Sequence, residues 1–201
     1  AFRGWLEAEM FGGALEDFAG LSSVEKLMRW QAGDVGLFLE IAADCGLERL
    51  DRGAGRYMSF GAYPLEAGPV FARGLWDGGL RALDTAGIVE DVSHAWMLGD
   101  AAHPWAGETR PDARMAAPGY SWCKAPRLEG KTWETGALAR QVVAGHPLAL
   151  DLARQGGVLA RVAGRLLELA LLAGVMERLA AGIRPEARFL VDGPMPAEAR
   201  G

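Results

Sequence analysis

Apolar and polar positions along the chain change period twice, and the changes divide it into three stretches. In the first stretch "FRGWLEAEMFG" is amphipathic at helical spacing, and "SSVEKLMRW" opens with Ser22 and Glu25 three residues apart, the spacing of a capping box. "DVGLFLEIAADCG" follows Asp34 and closes on Gly46, so three short helices are expected before residue 50. From "GRYMSFGAYP" onward aromatic residues and glycines suit strands, with Pro64 as a stop. "FARGLW" and "LRALD" then read as a hairpin about Asp77 and Gly78. After Gly136 the helical period returns in "ALARQVVAG" and "PLALDLARQ", and then in a long segment from Val158 to Ala181 with Leu and Val on most faces. The pattern predicts an α+β chain, predominantly helical. It has a long core helix near 158–181 and small antiparallel β elements near 56–134. No repeat, low-complexity tract or linker divides residues 1–201, which read as one continuous unit.

Charge narrows the partners. The net charge of -5 gives no electrostatic reason to expect nucleic acid or an anionic membrane surface. The most apolar stretch, Val158 to Gly182, is interrupted by Arg161, Arg165, Glu168, Glu177 and Arg178. A membrane-spanning helix rarely tolerates such charges, so direct membrane insertion is not expected. The two cysteines, Cys45 and Cys123, form neither a CxxC pair nor a zinc-type spacing, which suits a reducing compartment. "AFRGWLEAEMFGG" has no basic or apolar leader pattern, and "PMPAEARG" reads as leading into a further element, so the chain is expected to be a piece of a longer one.

Several chemical motifs fail on inspection. "EGKTWE" resembles the end of a phosphate loop, but Ala125 stands where the first glycine is required. His94, with Glu90 four residues before it and Asp91, Asp100 and His103 nearby, fits no standard metal spacing, and the histidines are read as structural. Ser121 and Cys123 lie in no nucleophile elbow, and Cys123 is expected to be a buried small thiol. Trp96, Trp105, Trp122 and Trp133 bring large apolar area suited to a core or a subunit interface. "KAPR" is different, because Pro126 fixes an extended backbone that aims Lys124 and Arg127 in defined directions. Glu134 and Arg140 bracket the helix that starts at Gly136. Either a set of solvated ion pairs or an ordered carboxylate–guanidinium network would suit these residues.

"YSWCKAPRLEGKTWETGALAR", residues 120–140, resembles the central signature of the large subunit of nickel–iron hydrogenases. That pattern runs close to Y-S/T-W-x-K-A-P-R-Y/L-x-G-x-x-x-E-V-G-P/A-L-A-R. "RYMSFGAYP", "IVEDVSHAW", "HPWAGETRPD" and "PAEARG" resemble further family segments in the expected order, so the likeness spans most of the chain. The wording "WCKAPRL" with "ETGALARQ" looks closest to the cytoplasmic uptake and hydrogen-sensing branch.

The resemblance implies the middle of a subunit that catalyses reversible heterolytic oxidation of dihydrogen, or senses hydrogen, at a nickel–iron centre. In the family that centre is held by two CxxC pairs, one near each end of the large subunit, and neither is present here. The alternative is a non-catalytic maturation scaffold that lacks them. The resemblance also implies an iron–sulfur small subunit and maturation chaperones as partners. Its further implication is a cytoplasmic location, with any membrane association made through the partner. Glu90 and Lys124 align with a carboxylate and a lysine near a magnesium or other divalent cation and its water cluster, on a proposed proton route. Arg127 belongs to the signature, and Glu134 and Arg140 are assigned to architecture as a charged pair orienting the helix at Gly136. Arg200 lies in a segment upstream of the family's E-A-P/A-R-G motif and is not counted as a site residue.

Overall fold

The computed structural model describes residues 1–10, 13–14, 34–65, 68–116, 118–188, 190 and 193. The capping-box helix expected after Ser22 and the "PAEARG" segment lie outside them. Helix α1 (Phe2–Trp5) runs into a π-helical turn (Leu6–Met10), and α2 spans Asp34–Asp44. Strands β1 (Tyr57–Leu65), β2 (Gly68–Trp76) and β3 (Leu80–Arg81) form an antiparallel sheet in that order. Strand β4 (Ile88–Asp91) pairs with β7 (Ala125–Leu128), and β5 (Met97–Leu98) pairs with β6 (Arg110–Pro111). Helices α3 (Ala137–Val143), α4 (Pro147–Gln155) and α5 (Gly157–Ala181) complete the α+β arrangement. No described helix is long and apolar enough to cross a membrane.

Side chains alternate across a strand, and β1 uses this to separate two cores. Tyr57 points into a helical core with Leu138, Val142, Leu148, Leu152 and Leu167. Its neighbour Met58 points the other way, into a small β core with Leu75, Leu83 and Leu128. Burial holds the Tyr57 phenol proton above its usual range, and the hydroxyl donates to the carbonyl of Ala153 at 3.4 Å. Pro64 does not stop the strand. β1 continues to Leu65, with Pro64 opposite Pro69, because β1 is an outer strand and an imino acid there removes no bond from the centre of the sheet. The hairpin about Asp77 and Gly78 forms as expected, with Trp76 opposite Leu80.

Helix α5 buries a stripe of small residues: Ala160, Ala163, Gly164, Ala170 and Ala173, with Leu167 among them. Small side chains at three- and four-residue spacing let a second helix approach closely. A Cβ on Gly164 would lie 2.8 Å from Leu138 Cβ and 2.9 Å from Leu138 Cα, so α3 sits directly on this glycine. Gly164→Ala is expected to cost about 1–3 kcal/mol by forcing the two helices apart, read as a lower thermal midpoint of the assembled protein. An unchanged midpoint would show that the contact relaxes freely.

Helix α5 begins without a side-chain cap. Gly156 and Gly157 adopt φ of +68° and +86°, turning the chain sharply out of α4. The amides of Val158 and Leu159 then donate to the carbonyls of Leu50 and Leu47, which satisfies two donors that a helix start leaves open.

One expectation fails here: Cys123 is exposed, as is Cys45. Trp105 and Trp122 are 72% and 44% exposed, so of the two settings expected for the tryptophans, core or subunit interface, these two rings do not take the first. Trp96 and Trp122 meet edge to face at 5.2 Å, and Trp133 is half-buried against the β core with its indole N–H on the carbonyl of Leu128. Trp96, Trp105 and Trp122 stand in bends and turns, which do not enclose large rings on both sides.

Candidate proton-handling site

The β4–β7 pair places the first two site residues. Glu90 lies opposite Pro126 and Asp91 opposite Ala125. Lys124, two residues before Pro126, is therefore the diagonal neighbour of Glu90 on the same face, a distance that long side chains cross. Its Nζ donates to Glu90 Oε2 at 2.6 Å. The side chains are 32% and 26% exposed, so the pair is neither sealed from water nor loose in it. Pro126 contributes no N–H opposite Glu90, whose own amide donates to the carbonyl of Ala102 at 2.9 Å. Glu90 is thus fixed from two directions. A surface pair of this kind adds only about 0–1 kcal/mol to stability.

Arg127 belongs to the other face of β7. Opposite Val89, it is diagonal to Asp91, and its Nη1 donates to the carbonyl of Pro126 at 2.9 Å. The Asp91 carboxyl is held below the usual carboxylate range, chiefly by the backbone and side-chain bonds from Ser93, with smaller help from the charges of Arg127 and His94. Beside Lys124 opens a cleft of about 410 Å³ that also reaches Asp91, His94, Tyr120, Ser121 and Arg127.

Glu134 and Arg140 are not a pair with each other. Glu134 accepts from Arg161 Nε at 2.8 Å and from the amide of Ala54 at 3.1 Å. Arg140 makes a bidentate pair with Glu168 through Nε at 2.8 Å and Nη2 at 2.5 Å, and Gln141 Nε2 reaches the same carboxylate at 3.2 Å. Arg161 and Glu168 stand seven residues apart on α5, two helical turns along one face. The segment leading into α3 and the middle of α3 are thus each tied to α5, and the pKa of each guanidinium is raised above its ordinary value, first by its carboxylate bond. Arg161, Gln141 and Glu168 were not singled out from the sequence. The available signal was a cation and an anion at heptad spacing inside an otherwise apolar run.

Among the described residues no group of three or more His, Cys, Asp or Glu side chains could hold a metal ion. Cys45 and Cys123 are both exposed single thiols, so the described residues do not fit a nickel–iron centre, which needs converging thiolates, nor a divalent-cation cage of their own. His103 uses Nδ1 to accept the Trp105 amide within its own turn, as expected of a structural histidine. His94 differs, being exposed at the edge of the cleft.

Known proteins share the family signature and the fold. The model of the nickel-dependent hydrogenase family matches residues 39–188. The Hydrogenase-2 large chain of Escherichia coli (strain K12) is 42% identical over 60 residues, which covers 28% of this chain and 11% of that protein. The large chain of the same name from Shigella flexneri matches equally. The reduced Ni-Fe-Se hydrogenase from D. vulgaris Hildenborough superposes with a TM-score of 0.68 at 24% identity, over 87% of this chain and 44% of that one. The reduced, active Ni-Fe-Se hydrogenase from Desulfomicrobium baculatum gives 0.66 at 22% identity, over 88% and 44%. At such identity the structures speak for the fold, and this chain spans less than half of their length. The family match covers most of the chain, residues 39–188, so the chain belongs to the nickel-dependent hydrogenase family.

Proposed function

We propose that this chain is the supporting, proton-handling middle of a hydrogenase large subunit. The complete protein would oxidise dihydrogen reversibly, or sense it, at a nickel–iron centre anchored by cysteines outside these residues. The observation that carries the reading is the 2.6 Å Lys124–Glu90 contact, largely shielded, with Lys124 lining a cleft. A carboxylate and an ammonium in contact can relay a proton without net change. A proton arriving on Glu90 leaves a neutral acid beside the ammonium, Lys124 releases a proton to water in the cleft, and the acid proton crosses to Lys124 Nζ. One proton enters and one leaves. Arg127 shapes the cleft, while Glu134 and Arg140 hold the strand-to-helix connection against α5.

The wording of residues 119–141 supports placement in the cytoplasmic uptake or hydrogen-sensing branch. An iron–sulfur small subunit, maturation chaperones and a divalent cation near Glu90 belong to the same proposal. The test is to purify the product of the complete gene and measure nickel, iron and hydrogen-dependent dye reduction. Stoichiometric nickel with hydrogen-dependent reduction or hydrogen binding supports the reading. A complete gene without paired CxxC motifs, whose product binds no nickel, replaces it with the maturation scaffold.

A further inference from the structure

The relay needs an exit, and the cleft beside Lys124 supplies one. Its volume of about 410 Å³ is ample for a chain of water molecules, and polar groups line it on both sides. His94 stands at its edge, exposed, on the turn after β4, whereas Lys124 leads into β7. The ring is held rather than loose. Nδ1 shares a 2.9 Å hydrogen bond with Ser93 Oγ, the Tyr120 ring meets it edge-on at 6.1 Å, and the Tyr120 amide donates to the His94 carbonyl at 3.1 Å. In the tautomer whose Nδ1–H donates to Ser93 Oγ, Nε2 carries the open lone pair that can take a proton. The charged and titratable groups around it are Asp91 on its own segment, Cys123 and Lys124 just before β7, Arg127 on β7, and Tyr120.

Chemistry makes an imidazole useful at this place. An alkylammonium gives its proton to bare water slowly, because hydronium is a far stronger acid. An imidazole, whose class changes charge near neutral pH, shortens that climb and passes the proton to solvent in a second step. We propose that His94 is the outer proton-exchange group of the cleft, taking protons from Lys124 through intervening water, delivering them to bulk solvent or a buffer base, and returning them in the opposite direction. The proposal rests on the relay assigned to Lys124 and Glu90. In each outward transfer an N–H bond breaks on Lys124 and one forms on His94 Nε2 as O–H bonds exchange along the intervening water; the Nε2–H bond then breaks to water or the buffer base, Glu90 returns a proton to Lys124, and no oxidation state changes.

The test uses the assembled enzyme, with rates normalised to nickel content so that assembly defects drop out. In weakly buffered medium, His94→Gln is expected to slow isotope exchange between deuterium gas and water on the order of tenfold. Added 4-methylimidazole should restore most of that rate in the variant while changing the unaltered enzyme little. Unchanged exchange in the variant, or a loss that the imidazole base does not restore, overturns the role of His94. Failure of the relay itself has a different signature: Glu90→Gln and Lys124→Met would exchange at the unaltered rate.

Discussion

Glu90→Gln lowers hydrogen-dependent dye reduction by the assembled enzyme about 10²- to 10⁴-fold, the range typical of a positioned proton-transfer group. The amide keeps the size of the carboxylate and can still accept the Lys124 hydrogen bond, so the strand pair and its register survive. It cannot bind and release a proton at that atom. Lys124→Arg separates proton handling from simple charge pairing. A guanidinium preserves the positive charge and can bond Glu90, but it does not deprotonate in proteins. Nickel content and thermal midpoint should therefore match the unaltered protein while the rate falls. A Lys124→Arg enzyme with full activity would reduce the pair to a strut between β4 and β7.

The second large effect concerns stability. Arg140→Met removes the bidentate partner of Glu168, whose side chain is only 9% exposed, and leaves its charge with the neutral Gln141 amide at 3.2 Å in place of a guanidinium. Breaking a buried pair from one side costs about 3–5 kcal/mol. Because the guanidinium itself is one-third exposed, roughly 2–4 kcal/mol is expected here. Met retains contact with Phe71, over whose ring the guanidinium lies at 4.9 Å. The loss is therefore of charge and hydrogen bonds more than of packing. Adding Glu168→Leu should recover most of the loss, since replacing both partners by apolar groups removes the stranded charge. The measurement is the thermal midpoint of the single and double variants in the assembled protein. A double variant no more stable than Arg140→Met alone would show that the network does more than satisfy itself, for example by shaping the cleft of about 580 Å³ between the β1–β2 hairpin and α5.

Much of the fold was legible in local pattern. α4 and α5 begin within a residue of the expected points, and α3 starts at Ala137, directly after Gly136. These helices carry their own signals: Pro147 in the first turn of α4, glycines at the breaks, and apolar residues at helical spacing. Pro64 misled because a proline reports a missing N–H but not whether that position is at the edge of a sheet. Cys123 misled because a small apolar thiol suits a core by composition, whereas its segment runs along a cleft rim.

The candidate site divides in the same way. The stiff KAPR backbone marks Lys124 and Arg127 as worth attention, and only the family resemblance joins Lys124 to Glu90 across 34 positions. The sequence alone determined the helical and β stretches, the acidic balance and the signature, because periodicity, caps and motif spacing act between near neighbours. Tertiary structure decided that β4 pairs with β7 in the register that brings Lys124 to Glu90. It also decided that Glu134 and Arg140 each turn to α5 instead of to one another, and that His94 shares the cleft with Lys124. Those contacts depend on which distant segments meet and with what offset, and a one-residue slip would reverse every face.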